Sequence, residues 1–368
     1  MAPQSLSTKA GRRSLDRNLG GGKSSLPRPS LSVDRDIASD VRQAAIQVAD
    51  DFDLCSSLRN DALAKLVAAF DPSELDLGTC LSSPAFSSSS KCKRGDNRFL
   101  WYRLRKIELK DPDDDDNSQF DDQMQDNRER VADWCEGDHH FSVKFVNTAI
   151  FEKGSEAAKE AAAALVSEAK TLANLPKHPH IVQVHGMHYL GPSAGFAGQI
   201  QTASYFTIVD EISDTLQQRI SAWRKRKQAY ETDRFDDMEP QQAEITQRLE
   251  VVVDTVSALE WLGTQNLVFM FNPTKAGFDS RMDRVKLFDF GHSVESGKVP
   301  LVGFDRTKDD FQKAYMAPAA LRGKKIALDT DVYAIGILLW EVIHLKPPFH
   351  SMTSDQYWKE VVEGGKRP

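Results

Sequence analysis

The order of apolar patterns along the chain predicts an α+β protein with a sheet lobe first and a larger, mainly helical lobe second. Strand-like runs come early: "ELDLGTCL" from Glu74, "RFLWYRLRKIEL" ending at Leu109, "HFSVKFV" ending at Val146, then "HIVQVHGMHYL" and "SYFTIVDEI". The first alternates apolar and polar residues, and the others are rich in β-branched and aromatic residues. From residue 213 onward helical spacing takes over. In "ITQRLEVVVDTVSALEWLG" the residues Ile245, Leu249, Val252, Val256, Leu259 and Leu262 form one apolar face. "DVYAIGILLWEVIHL" is apolar nearly all round and predicts a helix buried inside a lobe. Strands followed by helices define two segregated layers within one α+β domain.

Composition narrows the possible functions. The chain has 368 residues, 40% of them apolar, which supports a sizeable core with additional tails. A net charge of -7 argues against a general nucleic-acid binder. Cys55, Cys80, Cys92 and Cys135 lack CxxC spacing, so neither a zinc site nor a disulfide framework is expected, and a reducing compartment fits. No run of about 18 apolar residues is present, and the N-terminus lacks the apolar stretch of a secretory signal. A cytoplasmic location is expected, with the nucleus open and no membrane partner.

Residues 1–35 are basic and rich in Ser, Arg and Gly, and read as a disordered tail. Residues 36–70 change character. Ile37, Val41, Ala45, Val48 and Phe52 have helical spacing, and a second short helix is predicted through Leu63, Leu66, Val67 and Phe70. The sheet lobe is expected over 74–212 and the helical lobe over 213–368. Within the first lobe, "DPDDDDNSQFDDQMQDN" (111–127) carries eight Asp and no basic residue, the signature of a solvated insertion. "GSEAAKEAAAALVSEAKTLANL" predicts one strong Ala-rich helix.

Several motifs in a fixed order then resemble the protein kinase family over residues 74–368. "FSVK" looks like the lysine strand, which implies that Lys144 faces the α- and β-phosphates of ATP. Glu168 in "SEAKTLANLPKHPHIV" looks like its helix partner, Val209 and Asp210 in "YFTIVDEIS" like the linker between lobes, and "LFDFGHS" like the metal-binding motif, with Asp289 as the Mg²⁺ ligand. "YMAPAALRG" resembles the end of the activation loop. "DTDVYAIGILLWEV" resembles the central helix of the large lobe, whose Asp331 would brace the catalytic-loop backbone. The resemblance implies a protein-kinase-like two-lobed fold: a small antiparallel sheet lobe with one helix and a larger mainly helical lobe.

The departures from that family are concentrated where the chemistry belongs. Val268, Phe269 and Met270 stand over the family's His-Arg-Asp, and Asn272 and Lys275 over its Lys and Asn. A thioether at Met270 has no useful basicity, and loss of a positioned general base costs about 10²–10⁴-fold. Phe269 replaces the arginine that would receive a phosphate, for instance on Thr307. Lys275 places an ammonium where a neutral amide should hold Mg²⁺, and is expected to sit near Asp289 in the metal's stead. In "LSSPAFSSSS", Ser82 and Pro84 stand over the first two glycines of the phosphate loop, where proline removes a donor N–H. Ala319 replaces the glutamate that closes the activation segment. The family's last helices do not follow, so Ile337, Leu338 and Trp340 are expected to leave an apolar patch.

Three readings stay open: a pseudokinase that acts as a scaffold or allosteric partner, an active Ser/Thr kinase in which Asp279 or Asp283 substitutes for the missing acid, and a non-functional truncated copy. The resemblance implies weak ATP binding at most and disfavours Mg²⁺. It points to other signalling proteins as partners, an active kinase among them. Separately, Ser14 beside Arg12 and Arg13 looks like a site for a basophilic kinase.

Overall fold

A computed structural model of the chain describes residues 67–71, 74–81, 99–110, 122–147, 155–188, 206–233, 238–297 and 313–368. The basic tail, the helical spacing through 66, Ser82, Pro84, the acidic run through 121 and Thr307 lie outside the described residues.

The first lobe is built on a six-stranded sheet. Its strands are β1 (Ala68–Phe70), β2 (Leu75–Cys80), β3 (Phe99–Ile107), β4 (Phe141–Val146), β5 (Val184–His188) and β6 (Phe206–Asp210). The spatial order is β1-β5-β6-β4-β3-β2, antiparallel throughout except for β1 beside β5. Ala68–Phe70 is therefore a strand where helical spacing predicts a helix. Three residues are too few for a period to be read, and pairing with β5 decides their conformation. The close fit explains a glycine: a Cβ on Gly186 would lie 2.7 Å from the Phe70 ring.

All six residues of β4 are buried because both faces of the sheet are covered. On the inner face lies α2 (Ser155–Asn174), whose Ala161, Leu165, Ala169 and Leu172 join a core with Val146, Met187 and Val209. On the outer face lies α1 (Asp122–Glu136), whose Val131 and Cys135 meet Phe141, Val143, Phe145, Phe206 and Ile208. The end of the acidic stretch is thus not a solvated insertion. From Asp122 it is helical, with Met124, Asn127 and Arg128 buried. One buried ion pair fixes this layer: Arg128 Nη2 donates to Glu74 Oε1 at 2.5 Å, and Glu74 also accepts the backbone N–H groups of Asp71 (2.8 Å) and Lys110 (3.1 Å). A carboxylate with three donors is well enough solvated by protein to tolerate burial.

The second lobe contains α3 (Leu216–Asp233), α4 (Met238–Thr264), a short α5 (Pro318–Leu321) and α6 (Asp329–His344). A three-stranded sheet joins β7 (Ile212–Thr215), β9 (Ala276–Asp279) and β10 (Val285–Leu287), and β8 (Leu267–Val268) pairs with β11 (Val294–Glu295). Two expectations are corrected. On α4 the buried face runs through Val251, Val252, Ala258, Leu259 and Leu262, while Ile245, Leu249 and Val256 are exposed. The sequence carries more apolar residues than one face needs, so the spacing alone does not select the face. On α6, Ile337 and Leu338 are buried in the core and Trp340 is half-buried, while the exposed residues are Val332, Leu339 and Ile343. Among the described residues no helix is long and apolar enough to cross a membrane.

Candidate functional site

Period-2 alternation in β4 sends Phe141, Val143 and Phe145 to the outer face and Lys144 to the inner one. There Lys144 meets Glu168, delivered by α2, and donates to Asp289 Oδ1 at 3.2 Å. Asp289 occupies a left-handed turn (φ 64°, ψ 64°) at the start of the 3₁₀ turn Phe290–His292. All three side chains are buried. Burial works against the Lys144 charge, but Asp289 and Glu168 outweigh it and raise the lysine's pKa. Burial likewise raises Glu168, opposed by Lys144 and by a bond with the Phe290 N–H. Burial acts upward on Asp289 too, yet Lys144 and then Lys275 hold its carboxyl at about 2. Asp289 is therefore ionised, and the lysine–glutamate pair and the aspartate that phosphoryl transfer requires are assembled together.

The catalytic loop has a different character. Met270 is at φ 59°, and its thioether packs in an apolar cluster with Val268, Val294, Met316, Ala320 and Ile326. Phe269 is fully buried against the Phe290 ring, 4.7 Å between centroids. Asn272 turns back on its own loop, accepting from the Thr274 N–H (2.9 Å) and hydroxyl (2.5 Å). Two buried charges clamp the backbone. Asp331 accepts the N–H groups of Phe269 (2.7 Å) and Phe271 (2.8 Å), while Lys275 Nζ donates to the carbonyls of Phe269 (2.9 Å) and Met270 (3.3 Å).

The expected placement of Lys275 is corrected in part. Its ammonium makes no ion pair with Asp289 and binds carbonyls of its own loop instead, 4.6 Å from the Phe269 ring centroid. It still acts on Asp289 through space. Burial lowers its own pKa, opposed first by Asp289 and then by Asp331.

The linker residues also divide. Val209 lies on the inner face, in the core shared with α2. Asp210 faces elsewhere: it pairs with His185 (2.7 Å) and Lys286 (2.7 Å) and accepts the Gln183 N–H (3.0 Å), and despite burial these partners hold its carboxyl far below the usual carboxylate range. Lys286 continues to Asp279 at 2.9 Å, and Asp283 is paired with Arg219 at 2.7 Å. Both alternative acids are therefore engaged on the β9–β10 hairpin.

Residues not singled out in the sequence complete the site. The Phe99 and Trp101 rings lie 4.2 and 5.1 Å from the Lys144 ammonium, and Trp101 meets Phe288 edge-on at 5.8 Å. The signal was available: Phe99 and Trp101 are two apart on a strand, and Trp101 is the cross-strand partner of Lys144.

The resemblance assigns two positions to Mg²⁺ ligands, and they hold Asp289 and Lys275. Asp289 keeps a carboxylate at the first position, and at the second the Lys275 ammonium is bonded to carbonyls of its own loop.

Comparison with known proteins agrees with this architecture. Residues 137–368 match the family described as protein tyrosine and serine/threonine kinase. The chain belongs to the protein kinase family. It is 31% identical over 125 residues to the dual specificity protein kinase shkC of Dictyostelium discoideum, covering 33% of this chain and 24% of that protein. It is 30% identical over 131 residues to the serine/threonine/tyrosine-protein kinase HT1 of Arabidopsis thaliana, covering 35% and 32%. It is 29% identical over 107 residues to the serine/threonine-protein kinase mos of Patiria pectinifera, covering 28% and 30%. The matched stretch thus spans about a quarter to a third of each of these relatives.

Proposed function

We propose that this kinase domain does not transfer phosphate and acts through protein contacts, as a scaffold or allosteric partner of other signalling proteins, an active kinase among them. The observation that carries the reading is the catalytic loop. At the position of the general base stands Met270, a thioether packed in an apolar cluster. At the position of the metal-binding amide stands Lys275, a cation bonded to the loop's own carbonyls. A kinase needs a group to orient the acceptor hydroxyl and metal ions to neutralise the phosphates, and this loop offers neither. The engagement of Asp279 with Lys286 and of Asp283 with Arg219 speaks against an atypical active kinase. The intact Lys144–Glu168–Asp289 cluster supports an active-like shape without the chemistry.

The test is incorporation of labelled phosphate from ATP into the chain itself and into a basic protein acceptor, beside an active kinase at equal concentration. Transfer at least about 10²-fold below that control is expected from loss of the base alone. A rate within about tenfold of the control overturns the proposal.

A further inference from the structure

We infer that the cleft in which this fold holds a nucleoside triphosphate is filled here by the chain's own side chains, with Trp101 as the plug, so that the domain keeps its closed arrangement without a ligand. This deepens the reading of a domain without phosphate transfer and rests on it.

The argument starts at Lys144, the cation that must face the phosphates. Its side chain is 2% exposed, and every side of the ammonium is taken. Two sides face the carboxylates of Glu168 and Asp289, and the others face the rings of Phe99 and Trp101. A cation held between two carboxylates and two aromatic faces is already fully coordinated. A phosphate bound there would have to compete with both carboxylates and both rings.

The floor beneath is closed as well. Trp101 rests edge-on against Phe288, and Phe288 lies against Gly277 of β9. A Cβ placed on Gly277 would stand 2.3 Å from Ile212 Cγ2, 2.8 Å from the Asp214 carbonyl and 3.1 Å from the Phe288 ring. Not even a methyl group fits there. Leu81, Phe99 and Trp101 from the first lobe, Val209 and Ile212 from the linker, and Phe278 and Phe288 from the second lobe belong to one continuous buried cluster. These side chains meet across the place where the two lobes join. Charge is balanced in the same self-contained way: the Lys275 ammonium supplies near Asp289 the positive field that a metal would otherwise bring.

The test compares the wild type with Trp101→Val and Trp101→Ala, using a fluorescent ATP analogue and thermal unfolding in ATP, each with and without Mg²⁺. A lysine-acylating ATP analogue is followed by peptide mapping at Lys144. The wild type is expected to show no saturable binding, no thermal shift and no label on Lys144. Trp101→Val is expected to bind ATP at least about tenfold more tightly than the wild type, without a requirement for Mg²⁺, and to lose that binding when Lys144→Met is added. A folded Trp101→Val that still excludes ATP overturns the plug. If both variants fail to fold, Lys144 acetylation in the native wild type decides: protection supports the plug, and modification at the rate of surface lysines overturns it. Saturable ATP binding by the wild type without phosphate transfer overturns this inference alone, whereas transfer by the wild type overturns the preceding proposal with it.

Discussion

The two halves of the site have diverged by different amounts. The half made by Lys144, Glu168 and Asp289 keeps every group its family uses, at contact distance and fully buried. The half made by residues 268–275 keeps only its backbone path. Asp331 still gathers two N–H groups, but the side chains that performed chemistry are now Met270, Asn272 and Lys275, all directed into the protein. On the reading proposed above, the difference teaches that the shape of a phosphotransfer site and its chemistry are separable. Buried charges hold the shape, and they are present in both halves. At the positions the family gives to the acid and the metal-binding amide stand Met270 and Lys275.

If shape is the retained property, the largest effects should follow loss of the charges that hold it. Lys144→Ala leaves Glu168 and Asp289 buried without their cation and is expected to cost about 3–5 kcal/mol, read by urea unfolding. A loss below about 1 kcal/mol would break the comparison, because the retained half would then be mere residue. Asp331→Ala orphans the Phe269 and Phe271 N–H groups and is expected to cost about 2–4 kcal/mol in the same assay. Lys275→Met removes two bonds to carbonyls but also relieves a buried ammonium, so about 1–2 kcal/mol is expected. An increase in stability on this substitution would show that the cation opposes the loop it contacts.

The smallest effect is a titration. Asp289 is held at about 2, below its ordinary 3.8, so the unfolded chain takes up its proton first as pH falls. Its stabilisation is complete above about pH 4 and is lost towards about pH 2. Asp210 is depressed further by His185 and Lys286, and its contribution fails in the same direction at still lower pH. Lys275→Met removes one of the two lysines that depress Asp289, so the fall in stability between about pH 4 and pH 2 should become shallower, as measured by unfolding at a series of pH values. An unchanged acid limb would place Lys275 outside the electrostatics of Asp289.

Much of this was legible in the residues. The runs at 141–146 and 206–210 announce strands because both sheet faces are covered, leaving apolar sequences, and 99–107 does so by its aromatic and apolar residues set among exposed Arg103, Arg105 and Lys106. Lys144, Glu168, Asp289 and Asp331 stand in motifs whose order reports the family. The helix Asp122–Glu136 was hidden although its buried positions 124, 127, 128, 131 and 135 follow helical spacing, because two of them are Asn127 and Arg128. A periodicity of apolar residues cannot register a face that buries an ion pair. Lys275 was read as a cation near Asp289 that partly substitutes for a metal; its charge acts on Asp289, while its hydrogen bonds go to loop carbonyls. A four-carbon stem reaches several acceptors, and the nearest are the carbonyls that Met270 and Phe269 turn inward. The inferred closure was not legible because Trp101, Phe288 and Ile212 come from three separate segments.

The small strand at Ala68–Phe70 has a practical consequence. The family match begins at residue 137, yet the folding unit begins no later than 67, since β1 to β3 and the outer helix all precede that boundary. A recombinant fragment cut at 137 would strip β4 of its neighbour, uncover Phe141, Val143 and Phe145, and discard both Phe99 and Trp101. Such a fragment would display a sticky, half-built sheet and lack the two rings that face the Lys144 ammonium, so nucleotide binding should be measured on the longer chain. Boundaries drawn by kinship and boundaries drawn by packing differ here by about seventy residues, and expression should follow the second.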